Sequence, residues 1–137
     1  MSMTSAILLL GCGEQTKIKE CNDFIAVINR GVEKVQKGTS GTPDGGAAVA
    51  ELRALADEMD VISKEAAAIA VSLPDLKKLA ADYQAMVTEV AAAARDLASA
   101  VDSVDMEKMT AAQTRMDSAV KREDPLIEQL NKFCQAP

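Results

Sequence analysis

The sequence predicts an all-α fold: an antiparallel up-down-up-down four-helix bundle whose last helix is kinked or broken near Pro125. Three observations carry this prediction. Apolar residues recur in steps of three and four from Ile18 to Cys134, which is the period of a helix face. Ala, the strongest helix former, supplies 24 of the 137 residues. The helix breakers are confined to a few short stretches that divide the chain into rods.

The first rod carries Ile18, Cys21, Ile25, Ile28, Val32 and Val35 on its seam. Gly38 then opens a loop over residues 37–46, which holds four Gly and Pro43. The second rod carries Val49, Leu52, Ala56, Met59, Ile62, Ala66, Ile69 and Leu73, and it breaks at Ser72-Leu73-Pro74-Asp75. Pro74 and Asp75 suit the first turn of a new helix. The third rod runs from Leu76 to Val104, about 40 Å at ~1.5 Å per residue. Tyr83 falls on its seam and is expected half-buried, with the hydroxyl at the rim. Asp105 is an N-cap candidate for the fourth rod, which shows Met109, Ala112, Met116, Ala119 and Val120. At Arg122-Glu123-Asp124-Pro125, Asp124 is expected to cap and Pro125 to restart a last piece with Leu126, Ile127, Leu130, Phe133 and Cys134. Short connections make neighbouring rods antiparallel. A long helical hairpin that dimerises is the competing architecture, since seams this regular also suit coiled coils; the monomer is preferred.

Composition narrows function by exclusion. The net charge is −6 with a pI near 4.7, and no Lys/Arg cluster is present, so neither nucleic acid nor an anionic lipid surface is an expected partner. There is no His. That removes the Glu-x-x-His pairs of di-iron bundles, the Cys-x-x-Cys-His of haem attachment and the usual general base at neutral pH. No catalytic residue, cofactor or metal ligand is assigned, and an enzyme is not expected.

Weaker features have plainer explanations. Met106, Met109 and Met116 share one face, and thioether clusters bind Cu(I); because these positions coincide with the seam, they are taken as core. Glu51, Asp57, Glu58, Asp60 and Glu65 are taken as a solvated face, balanced by Arg53 and Lys64 through i,i+4-type pairs. The loop over 37–46 lacks a phosphate-binding pattern and is taken as a linker.

The N-terminus is different in kind. Ala6-Ile7-Leu8-Leu9-Leu10 is apolar, too short to span a bilayer, and ends at Gly11-Cys12-Gly13. Leu9-Leu10-Gly11-Cys12 resembles the lipobox of bacterial lipoproteins. The chain is thus similar to small, uncharacterised bacterial lipoproteins with a helical mature domain. The resemblance implies a leader over residues 1–12 ending at a lipidated Cys12, and a single helical domain over 13–137. It also implies a membrane partner reached through the lipid anchor, at the outer membrane and facing the periplasm or the surface. A start upstream of Met1 would account for the missing basic residues ahead of the run.

If Cys12 takes lipid, Cys21 and Cys134 are the two thiols left, one on the first seam and one on the last. An up-down-up-down order brings those two positions to the same end, so a Cys21–Cys134 disulfide is expected in an oxidising compartment, with Phe24 and Phe133 beside it. Two reduced, buried thiols in a cytosolic bundle are the alternative. The function expected from all this is non-enzymatic: an envelope-anchored interaction or scaffold lipoprotein with an unknown protein partner. A periplasmic carrier holding a small apolar ligand inside the bundle is the alternative.

Overall fold

Helical propensity wins over most of the breakers. The computed structural model describes residues 12–39 and 45–136, which form α1 (Cys12–Thr39), α2 (Gly45–Ala68), α3 (Pro74–Asp102), α4 (Met106–Val120) and α5 (Glu123–Gln135). α4 and α5 together are the broken fourth rod of an antiparallel bundle. Residues 1–11 of the expected leader and residues 40–44 of the expected loop lie outside the described residues.

Several boundaries move. α1 begins at Cys12, so Gly13 stands in its first turn, and it continues through Lys37 and Gly38 to Thr39. α2 already starts at Gly45, so the linker is shorter at both ends than the Gly count suggested. α2 then stops at Ala68, which leaves Ile69 and Leu73 in the connection. The cause lies downstream. Pro74 occupies the first turn of α3 and holds Leu73 extended, at φ −76° and ψ 126°.

At the other end of α3, the amide of Asp105 donates to the Ala100 carbonyl at 3.0 Å and the amide of Val104 to the Val101 carbonyl at 3.1 Å. This pair of bonds is a Schellman closure. It places Val104 at φ 53°, a conformation that suits Gly and strains a β-branched residue. Asp105 caps α4 as expected, its carboxylate accepting from the Lys108 amide at 3.1 Å. Asp124 does not cap. It lies inside the first turn of α5, where its charge meets the positive end of the helix. The break falls at Lys121-Arg122, because Pro125 has no N–H to offer the carbonyl four residues back.

α3 is the central member, packed by α2, α4 and α5, whereas α1 lies on α2 and meets α5 near the bundle's end. Polar pairs report the antiparallel registers. Arg53 meets Asp102 at 2.7 Å, Arg95 meets Asp57 at 2.9 Å and Asp60 at 2.5 Å, and Ser63 meets Thr88 at 3.1 Å. Arg30 pairs with Glu65 at 2.9 Å and Lys34 with Glu58 at 3.1 Å. Arg115 of α4 bridges Glu89 and Asp96 of α3. The acidic face of α2 is therefore neutralised by α1 and α3, not by its own Arg53 and Lys64. Each exposed pair contributes about 0–1 kcal/mol, so these pairs set register more than stability.

The core runs from Phe24 and Ile28 through Leu55, Met59 and Ile62 to Leu76, Met86, Val87, Val90 and Leu130. Three expectations change here. Ile18 is 60% exposed, because the buried stripe of α1 is centred on Phe24, Val27, Ile28 and Gly31, and Ile18 lies to its side. Met106, in the first turn of α4, is 68% exposed, while Met109 and Met116 are half-buried. Tyr83 is only 2% exposed rather than at the rim. Its ring meets Phe24 edge-on, with centroids 5.7 Å apart. Its hydroxyl reaches across the bundle beneath Gly31, where an added Cβ would lie 2.3 Å from the oxygen.

Two outcomes follow. Gly31→Ala should cost about 1–3 kcal/mol of stability by overpacking. Most of that loss should disappear in a Tyr83→Phe background, as read by urea titration of all four species. Val104→Gly should raise the unfolding free energy by about 1 kcal/mol, read from the same titrations, because it relieves the left-handed strain.

Candidate functional site

Two places on the bundle stand out: the end where α1 begins, and a cleft along the seam between α1 and α4.

At the first, the two sulfurs of Cys21 and Cys134 stand 2.11 Å apart, with Cα atoms 6.0 Å apart, across a sequence separation of 113. Cys21 sits in the buried core cluster and Cys134 packs against it. The pair expected from topology is thus brought to disulfide distance. A second tie joins the same helices: the Lys17 ammonium donates to the Ala136 carbonyl at 2.7 Å and lies 4.8 Å from the centre of the Phe133 ring. Of the two aromatics expected near the cysteines, Phe133 takes part in this tie. Phe24 turns inward to Tyr83.

A third tie was not anticipated. Glu20 is 5% exposed, the one charged side chain buried among the described residues. The Ser72 amide donates to its Oε1 at 2.8 Å, the Ser72 hydroxyl to the same oxygen at 2.6 Å, and the Leu73 amide to Oε2 at 3.3 Å. Leu73 is the N-cap of α3 and makes no side-chain cap bond; the Glu20 carboxylate from α1 takes the amides of Ser72 and Leu73 just ahead of the helix, at the positive end of α3. The Ser72 hydroxyl, then the Ser72 and Leu73 amides, hold the Glu20 carboxyl below the usual glutamate range, against the opposing effect of burial. A sequence signal existed: Glu20 lies one turn before Phe24, on the stripe that proves to be inward.

Cys12, the expected lipidation site, opens α1 at this same end. Its side chain lies outside the described residues. The α2–α3 connection and the end of α5 are gathered here too, while the α3–α4 turn lies at the opposite end.

The second place is a cleft of about 380 Å³ walled by Val35 of α1, Leu55 of α2, Val90 of α3 and Met116 and Val120 of α4. Gln113, Asp117 and Lys121 form its α4 rim, and the Gln113 amide donates to Asp117 at 3.0 Å. Leu55 and Val90 are fully buried core residues, so the floor of the cleft is the core itself. Its origin is compositional. The residues α4 buries are Ala112 and Ala119, which let it settle closely on α3 and leave the α1 side uncovered.

A neighbouring cleft of about 450 Å³ between α3 and α4 is mixed in character, with Ala100, Ala111 and Ala112 beside Asp96, Ser99, Ser103, Lys108 and Arg115. Its cations are already engaged: Arg115 with Glu89 and Asp96, and Lys108 with Asp105. Elsewhere, burial and then Asp124 push the Glu123 carboxyl up from its ordinary value. Burial, then Glu123, likewise pushes up the Tyr83 hydroxyl. Glu123 lines neither cleft. Among the described residues, no cluster of three or more Cys, Asp or Glu side chains is placed to hold a metal ion. No described helix is long and apolar enough to cross a membrane.

The Glu20 tie has a defined pH signature. Its folded-state pKa is depressed, so its stabilisation is present above the unfolded value (about 4.3) and is lost as pH falls through the folded value. Glu20→Gln should be less stable than the parent at pH 7. The gap between the two midpoints should narrow as the pH is taken from about 5 toward 3, in denaturant titrations run in parallel.

No family model, curated protein or solved structure matches this chain.

Proposed function

We propose that this chain is a non-enzymatic helical lipoprotein of the bacterial cell envelope. In this reading it is anchored through lipid on Cys12 and presents its helix faces and far end to a protein partner. The observation that carries the proposal is the concentration of fastenings at one end. Cys21–Cys134, Glu20 with the α2–α3 connection, and Lys17 with the C-terminal turn all lie where Cys12 opens α1. An anchored domain transmits any pull through that end, and three independent ties reinforce it. The α3–α4 turn, with exposed Val104 and Met106, then faces away from the anchor, as does the end of α1 at Thr39. Exposed apolar residues at such a tip are typical contact material.

One observation favours a second reading, a periplasmic carrier. The cleft between α1 and α4 is apolar, reaches the core, and falls in the size range of small-molecule sites.

The anchoring proposal is tested by the mass of the mature protein from its native host, with and without reduction. A diacyl or triacyl mass on Cys12, with no thiol free for alkylation before reduction and two after it, is the expected result. An intact Met1 with three alkylatable thiols would defeat both the anchor and the disulfide.

A further inference from the structure

The cleft between α1 and α4 has a shape and a charge balance that narrow what it accepts. Along α4 it spans only Gln113 to Lys121, about 12 Å at ~1.5 Å per residue, and on α1 it touches Val35. A docking helix lays several turns along a groove, so this short, deep pit fits a small molecule better than a partner helix. Its five walls are aliphatic or thioether, and Met116 and Val120 are half-buried, with freedom to repack around a guest. The rim carries one anion, Asp117, and one cation, Lys121. The two rim charges offset each other, so the mouth favours neither sign of head group, and the apolar wall offers a buried charge nothing to pair with.

From these features we infer that the α1–α4 cleft is a binding site for a small, uncharged, apolar molecule, entered from the side between α1 and α4. This inference rests on the carrier reading and specifies its ligand class. Lateral entry follows from the packing. α1 meets the last rod at the Cys21–Cys134 end, whereas its far half, which contributes Val35, has α2 as its main neighbour. The seam therefore opens onto the cleft without any break in the fastened end.

The test uses the full chain in its oxidised form and two fluorescent probes of similar size. N-phenyl-1-naphthylamine is neutral, and 8-anilinonaphthalene-1-sulfonate carries one negative charge. The neutral probe should bind saturably at one site per chain, at least ten-fold more tightly than the sulfonate. Met116→Trp and Val120→Trp, each filling the cleft from the α4 wall, should weaken it ten-fold or more with the helical melting curve retained. Lys64→Glu, on the exposed face of α2 and outside the cleft, should leave the affinity for the neutral probe within two-fold. Sulfonate binding as tight as the neutral probe, and lost in the Trp variants, would overturn the uncharged-ligand inference and leave the carrier reading standing. Saturable binding of neither probe, or binding unchanged in a folded Trp variant, would overturn both. If one Trp variant fails to fold, the other decides.

Discussion

The fold depends on how α1 is held. α3 is packed on three sides by α2, α4 and α5, so most of the bundle is secured by helices that follow one another in sequence. α1 completes the ring, and the non-sequential closure is made at one end, where Cys21 meets Cys134 and Glu20 meets Ser72 and Leu73. Closure across 113 residues is among the most costly contacts in the chain to form by loop entropy. A covalent bond at that place removes the cost from the folding equilibrium, by about 4–5 kcal/mol in the chain-entropy account. An Ala-rich core makes this matter. Each Ala buries little apolar area, so packing alone leaves a slender margin over conformational entropy.

Glu20 adds specificity to that closure. A buried carboxylate with three donors is tolerable only in the registered structure, because any slip of α1 along α2 leaves a charge without partners. The disulfide restricts which ends meet, and Glu20 then selects the rotation and height at which they meet. Tyr83 and Gly31 impose a matching constraint deeper in the bundle. A hydroxyl that crosses to α1 needs a residue without a side chain opposite it, and a shift of one residue either way presents Arg30 or Val32 instead.

Much of this was legible in the residues and some was not, for physical reasons. The helices follow from a period of three and four that Ala reinforces everywhere, and the meeting of Cys21 with Cys134 follows from loop lengths that bring the start of the first rod beside the end of the last. Neither depends on side-chain detail. Boundaries were less legible, since Gly38 and Gly45 are accommodated at helix ends and the end of α2 is set by Pro74 six residues later. Ile18 and Tyr83 were misplaced because a seam traced by steps of three and four is about a third of the helix wide, while burial is decided by where the neighbour's bulk falls. The α2 carboxylates illustrate the same limit: their partners, Arg30, Lys34 and Arg95, lie on other helices, and local spacing carries no trace of them. The cleft was the least legible, because it is a gap between Val35 and Met116 that no spacing encodes.

The same thin helices account for both the fastened end and the open side. Where Ala faces Ala, as between α3 and α4, the backbones approach closely, although a cleft of about 450 Å³ remains toward the α3–α4 turn. A ring of four rods cannot close tightly along every seam unless the side chains are matched around it. Here slack is left on more than one seam, and its most apolar part lies between α1 and α4, helices that are not consecutive. Evenly larger residues on α4 would fill the cleft and make the disulfide less necessary. Ala112 and Ala119 do the reverse: they draw α4 onto α3, expose Met116 and Val120 toward α1, and leave the closing of the bundle to chemistry at its end. The cleft and the cross-link are thus two consequences of one compositional choice.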